Sequence, residues 1–275
     1  MSQGTCYVCA TPIGHLEDCT FRLIDTLKSV DLIAAEDTRV SRKLLERYHI
    51  RKPVISLQKF NEKERANTIV LKIQEGQDVA VLSDAGTPNI CDPGAHLIQL
   101  LYNQSCDVKV IPGPSALTAF LSISGVVCNQ FIFGGFFPKK RAESEMICQK
   151  ITDEMPIVFF ETGKRIQKTM IWLNAQPWVK FVVLGKELTK CFEHITAGSD
   201  LDVIIQKLDD PLFCKGEWCM LLQCQWESDQ AHLRKRIDQL RHNGFSLTEV
   251  LKIIGIMCPN EKRNDVYRIF HELKT

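Results

Sequence analysis

The first 111 residues of the chain alternate short apolar runs with amphipathic stretches of helical period. The apolar runs have the length and residue types of buried strands and lie at 5–11, 31–35, 54–57, 79–82 and 108–111. Helical spacing of apolar residues occurs between them, at 21–27, 36–48, 63–74 and 96–104. This strand–helix repeat predicts a mainly parallel sheet with helices on both faces. We therefore predict an N-terminal α/β domain over residues 1–125.

A second strand–helix pattern begins after Gly125. An apolar segment at 131–137, interrupted by two glycines, leads into a predicted helix that runs to about residue 153. Further strands are predicted at 157–160, 181–184 and 218–223, and helices at 165–173 and 201–208. This pattern predicts a second α/β domain over residues 126–226.

Residues 227–275 change character and predict a small module of three helices. Ser246 and Glu249 form a capping box at the start of one helix, and Asn260 can cap the next. Basic residues of this module are Arg234, Lys235, Arg236, Lys262, Arg263 and Arg268. From residue 226 onward, nine Lys and Arg residues are balanced by seven Asp and Glu residues. The module could contact RNA, or it could serve in packing or dimer formation. The charge balance slightly favours packing.

Composition predicts soluble, globular domains, because 45% of the 275 residues are hydrophobic and 24% are charged. No apolar stretch approaches the roughly 20 residues that span a bilayer, and the N-terminus lacks a basic segment followed by an apolar core. We therefore predict a cytoplasmic protein without a membrane span. The net charge of +1 argues against a dedicated non-specific nucleic-acid binder, but an enzyme that meets a structured RNA at one patch need not be more basic.

The 12 cysteines predict reduced thiols rather than a disulfide framework, because no secretory signal accompanies them. Cys6 and Cys9 have the spacing of half a zinc site. However, they lie in a predicted strand, where residues three apart point to opposite faces, and no second Cys pair or His pair of suitable spacing accompanies them. We predict no metal site.

Three familiar ligand motifs are absent from the chain, which has no Gly-x-Gly-x-x-Gly after the first strand, no Gly-x-x-x-x-Gly-Lys-Ser/Thr and no Gly-x-Ser-x-Gly. The chain instead has Pro- and Gly-rich loops after three strands, at 12–14, 83–88 and 112–116. Ligands of open parallel sheets bind beyond the carboxyl ends of the strands. Gly86 allows close approach of the backbone, and Asp84 supplies a carboxylate. These loops predict a site for a compact polar ligand such as a nucleoside cofactor.

Six separated motifs follow one another along the chain: Thr11-Pro-Ile-Gly14 with Leu16-Glu-Asp18, Ala35-Glu-Asp-Thr-Arg39, Ser83-Asp-Ala-Gly-Thr-Pro88 with Asp92-Pro-Gly94, Pro112-Gly-Pro-Ser-Ala116, Gly135-Phe-Phe-Pro138 and Glu187-Leu-Thr-Lys190. Their sequence and order resemble the bacterial small-subunit ribosomal RNA ribose 2′-O-methyltransferases, which belong to the tetrapyrrole methylase fold family. Those enzymes methylate a cytidine of the decoding centre. The resemblance covers about residues 6–223 and extends more loosely to the terminal helices.

The resemblance implies two α/β domains with a cofactor cleft between them, and S-adenosylmethionine as the methyl donor. The cofactor-binding residues that it implies are Pro12, Ile13, Gly14, Asp84, Ala85, Gly86, Thr87, Pro88, Ser115 and Ala116. The implied partner is small-subunit ribosomal RNA, either free or in the assembled small ribosomal subunit. The family also implies a homodimer.

Methyl transfer to a ribose hydroxyl requires that the hydroxyl be aligned with the methyl group and lose its proton. Candidate catalytic residues are Glu36, Asp37, Arg39, Glu161, Glu187 and Lys190. The carboxylates could accept the proton or orient the hydroxyl, and the basic groups, together with Arg165 and Lys186, could hold phosphate or stabilise an alkoxide. Structural alternatives exist, because Glu36 and Asp37 suit a helix N-terminus and Glu187 with Lys190 could form a solvated ion pair.

The chain departs from the family in its second domain. The family usually has Glu-Ser-Pro-His-Arg where this chain has Glu161-Thr-Gly-Lys-Arg165. The family also has an arginine where this chain has Lys186. A lysine lacks the planar guanidinium group with which arginine makes bidentate hydrogen bonds. These departures concern predicted substrate contacts. A tetrapyrrole-precursor methylase of the same fold is one alternative to an RNA methyltransferase. The departures also leave open a non-catalytic RNA-binding or ribosome assembly factor.

Overall fold

A parallel β-sheet forms the N-terminal part of the chain in the computed structural model, which describes residues 3–148, 155–213, 215–224, 229–257 and 262–273. Its strands are β1 (Thr5–Cys9), β2 (Leu32–Ala35), β3 (Val54–Ser56), β4 (Val79–Leu82) and β5 (Asp107–Ile111). The helices that follow them are α1 (Phe21–Ser29), α2 (Thr38–Arg47), α3 (Glu62–Gln74), α4 (Ala95–Asn103) and α5 (Ala116–Ile123). The strand order is β3-β2-β4-β1-β5 and every neighbouring pair is parallel, which confirms the predicted parallel sheet.

Helices cover both faces of this sheet. Successive residues of a strand point to opposite sides, so the apolar strands present side chains to the helices on each face. In β2, Leu32 and Ala34 pack with buried residues of α3 and α4, whereas Ile33 packs with those of α1 and α2. Cys6 and Cys9 divide between the same two faces, as their spacing predicts. Close packing on both faces makes the sheet a rigid platform for the loops at its carboxyl edge.

A mixed sheet forms the second half of the described chain. Its strands are β6 (Ile132–Phe136), β7 (Ile157–Thr162), β8 (Val179–Lys186), β9 (His194–Gly198) and β10 (Glu217–Cys224), in the order β6-β7-β10-β8-β9. Strands β6 and β7 are parallel, and the other neighbouring pairs are antiparallel. The helices of this half are α6 (Arg141–Cys148), α7 (Gly163–Asn174) and α8 (Leu201–Leu208). The predicted continuation of α6 to about residue 153 lies outside the described residues.

The sequence does not predict strand β9 or helix α5, nor the short 3-10 helix at Leu16–Asp18. Strand β9 is short, lies at the edge of its sheet and is only partly buried, so its apolar alternation is weak. Helix α5 starts directly at the end of the loop 112–116, where prolines and a glycine predict only a turn.

Helix α5 joins the two sheets. Its Phe120 is fully buried and packs in one cluster with Val158, Val183 and Leu221 of the second sheet. A Cβ atom on Gly185 would lie 2.7 Å from the Phe120 ring, so a larger residue there would displace the ring. The other face of the second sheet packs against α7 and α8. Helix α5 therefore fixes the position of the second sheet relative to the first. The two sheets form the walls of a cleft that is described below.

The last described helices are α9 (Asp229–His242), α10 (Leu247–Met257) and α11 (Arg263–Glu272), which pack on one another around an apolar cluster of their own. The predicted capping box is present, because the Ser246 amide donates to Glu249 Oε2 at 2.8 Å and the Glu249 amide lies 3.5 Å from Ser246 Oγ. Asn260 lies outside the described residues. No helix in the described ranges is both long enough and apolar enough to cross a bilayer.

The order of the parts is two α/β units followed by a helical module, as the sequence predicts. The domain boundaries at residues 125 and 226 stay a prediction. Gly125 lies between α5 and β6, and residue 226 lies outside the part of the chain that the structure describes.

Candidate active site

The connections of the first sheet diverge between β1 and β4. After β1 the chain passes toward β2, and after β4 it passes toward β5 on the opposite side. Open α/β sheets bind ligands at such a point, beyond the carboxyl ends of the strands. Here the Thr11 amide donates to the Gly86 carbonyl at 2.9 Å, and the Gly86 amide donates to the Thr11 carbonyl at 3.0 Å. This bridge ties the two loops together as a floor.

A cleft of about 340 Å³ opens above this floor, between the first sheet and the second. Loops that follow β1, β2, β4 and β5 line one side, and the ends of β6, β7, β8 and β10 line the other. Its size is within the range of sites that hold small ligands and cofactors.

Most of the predicted site residues line this cleft. Of the predicted cofactor residues, the lining includes Ile13, Asp84, Ala85, Gly86, Thr87, Ser115 and Ala116. Of the predicted catalytic residues, it includes Glu36, Glu161, Glu187 and Lys190. Pro12, Gly14 and Pro88 belong to the same loops but not to the lining, and Asp37 and Arg39 lie at the start of α2 next to Glu36. The roles of all these residues in binding and catalysis stay predictions.

Asp84 links the loop after β4 to the loop after β2. Its Oδ1 accepts a hydrogen bond from the Asp37 amide at 2.8 Å, and its own amide lies 3.5 Å from Glu36 Oε2. Burial is the largest cause that raises the pKa of Asp84 and of Glu36 above the usual values, and nearby carboxylates add to it. Asp84 therefore holds the start of α2 at the edge of the cleft.

Asp37 caps helix α2. Its Oδ1 accepts from the Arg39 amide at 2.8 Å, and its Oδ2 pairs with Arg39 Nη2 at 2.6 Å. The hydrogen bonds from Arg39 lower the pKa of Asp37 to about 2, which makes this carboxylate a weak proton acceptor. Asp37 is therefore the N-cap of α2. This is the structural alternative to a catalytic role that the sequence analysis gives for it. The Arg39 side chain is 86% exposed.

Glu161 lies near the end of β7 with its side chain entirely buried. It accepts hydrogen bonds from the Thr162 amide at 2.8 Å and the Thr169 hydroxyl at 2.9 Å, and it pairs with Arg165 Nη2 at 3.2 Å. Arg165 in turn donates to the Phe137 carbonyl at 2.8 Å. A buried carboxylate needs such partners. Through them, Glu161 fixes the wall of the cleft that β6 and β7 provide.

Glu187, Lys190 and Glu217 form a charged cluster at the end of β8. Lys190 Nζ lies 3.0 Å from Glu187 Oε1 and 2.8 Å from Glu217 Oε2. Although burial opposes the change, hydrogen bonds from the Glu217 amide and from Lys190 hold the pKa of Glu187 below its usual value. The side chains of Glu187 and Lys190 are 19% and 30% exposed, so this pair is partly buried rather than solvated.

Asp92 and Glu217 also line the cleft, although the sequence does not single them out as site residues. Burial, followed by the charge of Asp84, raises the pKa of Asp92 to about 6. The available signal for Asp92 is its place in the motif Asp92-Pro-Gly94, close behind Pro88. Glu217 has no local signal, because the pairing of β10 with β8 brings it to Glu187.

Acidic residues outnumber basic ones in the lining of the cleft. Among the described residues that line it, six carry carboxylates, namely Glu36, Asp84, Asp92, Glu161, Glu187 and Glu217, and one carries an ammonium group, Lys190. Arg165 balances only the charge of Glu161. Such a surplus of negative charge in a concave site favours a cationic ligand.

Gly163 and Lys186, two of the departures from the family pattern, make contacts of their own. The Gly163 amide donates to the Gly216 carbonyl at 2.8 Å, and a proline would have no N–H for this bond. Lys186 Nζ donates to the Leu212 carbonyl and lies 4.9 Å from the centre of the Phe213 ring. Both residues therefore hold the segment that leads into β10.

Comparison with known proteins supports the resemblance. The model of the tetrapyrrole (corrin/porphyrin) methylases matches residues 5–200. Ribosomal RNA small subunit methyltransferase I of Haemophilus influenzae is 38% identical over 82% of this chain and 81% of its own length. The corresponding protein of Synechocystis is 34% identical over 99% of both chains. The chain belongs to the ribosomal RNA small subunit methyltransferase I family.

The fold of this family member recurs at much lower identity in a solved structure. Uroporphyrin-III-C-methyltransferase from Thermus thermophilus is 14% identical, with a TM-score of 0.56 over 80% of this chain and 94% of that chain. At that identity the likeness concerns the fold alone. In the present member of the ribosomal RNA small subunit methyltransferase I family, each of the six sequence motifs contributes at least one residue to the lining of the cleft.

Proposed function

We propose that the protein transfers the methyl group of S-adenosylmethionine to the ribose 2′-hydroxyl of a cytidine in small-subunit ribosomal RNA. The observation that carries this proposal is the convergence of all six family motifs on one cleft at the divergence point of the first sheet. Relatives named for ribosomal RNA methylation match the chain over most of its length, which supports the same class of substrate.

The cleft suits S-adenosylmethionine in position and charge. The predicted cofactor residues in the loops after β1, β4 and β5 would hold it, largely through backbone groups that Gly86 leaves accessible. Bound there, S-adenosylmethionine supplies an electrophilic methyl group on a positively charged sulfonium. The carboxylates of Glu36, Asp84 and Asp92 favour a positive charge in this place.

The residues of the cleft would also act on the ribose. The hydroxyl oxygen must approach the methyl carbon in line, so that the O–C bond forms as the S–C bond breaks, and the hydroxyl proton must pass to a base. Asp92 and Glu36 suit this role, because a raised pKa makes a carboxylate a stronger base. Lys190 would stabilise negative charge that develops on the oxygen.

We also propose a cytoplasmic homodimer that acts on free RNA or on the assembled small subunit. Large apolar side chains at the surface of the first domain support self-association, because Phe21 is 89% exposed and Val110 on the edge strand β5 is 62% exposed. Arg22 Nη2 donates to the Val110 carbonyl at 3.0 Å and so brings the start of α1 to this edge. Sedimentation equilibrium of the purified protein tests the dimer.

Transfer of labelled methyl groups tests the reaction itself. Small ribosomal subunits that lack their native modifications are incubated with the protein and labelled S-adenosylmethionine, and the RNA is digested for nucleoside mass spectrometry. We expect 2′-O-methylcytidine as the labelled product. Label in a tetrapyrrole precursor but not in RNA would replace the proposal by its first alternative, and cofactor binding without transfer to either would favour a non-catalytic assembly factor.

Removal of residues 226–275 tests the role of the helical module. Because α9, α10 and α11 have an apolar cluster of their own, we expect the shortened protein to bind cofactor normally. If the module contacts RNA, the KM for small subunits rises while the affinity for S-adenosylmethionine, measured by calorimetry, stays the same. An unchanged KM would make the module a packing appendage.

The affinity for S-adenosylmethionine is expected to fall as pH is lowered through about 6, the pKa of Asp92. A bound cation favours the ionised carboxylate, so protonation opposes binding and can weaken it by up to about tenfold per pH unit below that pKa. S-adenosylhomocysteine, which lacks the sulfonium charge, is the matched ligand and should show a much flatter profile. Equal pH profiles for the two ligands, or for Asp92→Asn and the unaltered protein, would contradict the prediction.

A further inference from the structure

A group of exposed lysines lies on the second domain, outside the acidic cleft. Its members are Lys139, Lys140, Lys164, Lys168 and Lys215, and we call this group the lysine rim. Lys139 and Lys140 precede α6, Lys164 and Lys168 lie one turn apart on α7, and Lys215 precedes β10. None of these residues belongs to the cleft lining or to the six motifs, and Lys164 stands where the family pattern has a histidine.

Contacts between backbone segments bring the rim together. Arg165 Nη2 donates to the Phe137 carbonyl at 2.8 Å and to the Pro138 carbonyl at 3.0 Å, which places the first turn of α7 beside the loop that holds Lys139. A Cβ atom on Gly163 would lie 2.6 Å from the Lys215 Cα, so Lys215 is a direct neighbour of the same turn. Three separate parts of the chain thus form one surface.

The rim lies next to residues that line the cleft. Phe136, Thr162 and Glu217 line the cleft, and each lies within a few residues of a rim lysine in the chain. A polymer with one unit in the cleft would therefore have neighbouring units close to the rim.

Most lysines of the rim form no ion pair with another residue that the structure describes. Lys140 pairs with Glu143 at 3.6 Å, with both side chains mostly exposed, and such a pair contributes little. Within the described ranges, the other four lysines of the rim form no ion pair. Helix α7 contains no acidic residue over its whole length. A surface with unpaired ammonium groups from three segments attracts a polyanion.

We propose that the lysine rim binds phosphates of the RNA next to the nucleotide that enters the cleft. This inference rests on the proposed function, because it takes RNA as the substrate. The cleft itself has a surplus of negative charge and repels a phosphate backbone, so the attraction for RNA must come from groups outside it. Contacts to phosphates position a nucleic acid without reading its sequence, and exposed lysines supply such contacts.

The salt dependence of RNA binding tests the rim. Lys139→Gln with Lys164→Gln, in the full chain, is compared with Lys28→Gln with Lys180→Gln. The control lysines are also exposed, but Lys28 is in the last turn of α1 and Lys180 is at the start of β8, far from the cleft. Affinity for unmodified small-subunit ribosomal RNA, made by transcription in vitro, is measured between about 50 and 200 mM KCl, a range over which phosphate contacts dominate the salt effect.

The association constant for RNA falls as the KCl concentration rises. We expect the rim variant to make the slope of log association constant against log [KCl] shallower by about 0.7 to 0.9 for each lost phosphate contact, or about 1.4 to 1.8 in total. Its KM for small subunits rises, whereas its kcat and its affinity for S-adenosylmethionine stay unchanged. The control variant keeps the slope of the unaltered protein. If the rim variant keeps that slope as well, while the unaltered protein methylates RNA, the rim proposal alone is wrong. If the unaltered protein methylates no RNA, the proposed function fails and the rim proposal fails with it.

Discussion

Alanine in place of Gly14 is expected to slow methyl transfer about 100-fold, because the loop after β1 would be pushed away from the turn that presents Lys190. A Cβ atom at position 14 would lie 2.5 Å from Lys190 Cγ, 2.6 Å from Thr189 Oγ1 and 2.9 Å from the Leu188 carbonyl oxygen. The side chains can rotate away, but the carbonyl belongs to a turn whose Thr189 has a φ of 63°. A displacement of about 1 Å at a catalytic site can cost about 100-fold in rate.

Single-turnover methylation of small subunits measures this rate. Gly255→Ala is the matched control, because a Cβ atom at that helical position meets no atom within 4 Å and the rate should stay normal. A Gly14→Ala protein that melts normally and methylates at the unaltered rate would show that the contact between the two loops is not needed for catalysis.

Replacement of Asp84 by alanine is expected to weaken the binding of S-adenosylmethionine about 10- to 100-fold. The substitution removes a carboxylate from the cleft and also removes the acceptor that holds the Asp37 amide at 2.8 Å. A hydrogen bond to a charged group contributes about 1.5–3 kcal/mol, and each 1.4 kcal/mol corresponds to about a tenfold change in affinity. The start of α2, and Glu36 with it, would lose its tether to the loop after β4.

Asp84→Asn separates the two effects of that substitution. Asparagine keeps an oxygen that can accept from the Asp37 amide but carries no charge. An affinity close to normal for Asp84→Asn, together with a loss for Asp84→Ala, would assign the effect to the tether. A loss in both would assign it to the charge. Unchanged affinity of a folded Asp84→Ala protein, measured by calorimetry, would remove Asp84 from the site.

The elements of the first domain follow closely from its local sequence. Strand β4 has the predicted limits, because the apolar run at 79–82 is closed on both sides by glycine or polar loop residues. The order of the strands does not follow from such runs. Strands β2 and β4 are both fully buried runs of four apolar residues, so nothing local specifies that β4 lies between β1 and β2. Long-range packing decides that order.

The candidate site also has some features that the local sequence predicts and others that depend on the fold. The loops at 12–14 and 83–88 are recognisable because strand ends, glycines and prolines mark them in the sequence. The family motifs indicate Glu187 and Lys190, but not that they share a cluster with Glu217, which depends on the antiparallel pairing of β8 with β10. The capping role of Asp37 and the complete burial of Glu161 also depend on neighbours that are distant in the sequence or on a helix boundary. Residue type alone does not distinguish such groups from catalytic ones.

The insertion of β4 between β1 and β2 has a consequence for the way the molecule assembles. Strand β1 pairs only with strands that are made much later, since Cys6 lies opposite Val79 and Val108. Until the segment around β4 has been synthesised and has closed this long loop, the N-terminal strand lacks its neighbour, and closures of such high contact order are slow. The same event brings Thr11 against Gly86 and creates the floor of the cleft. A chain in which β4 has not yet joined the sheet therefore lacks the floor of the cleft, and a ligand that binds the cleft would stabilise the first sheet against unfolding.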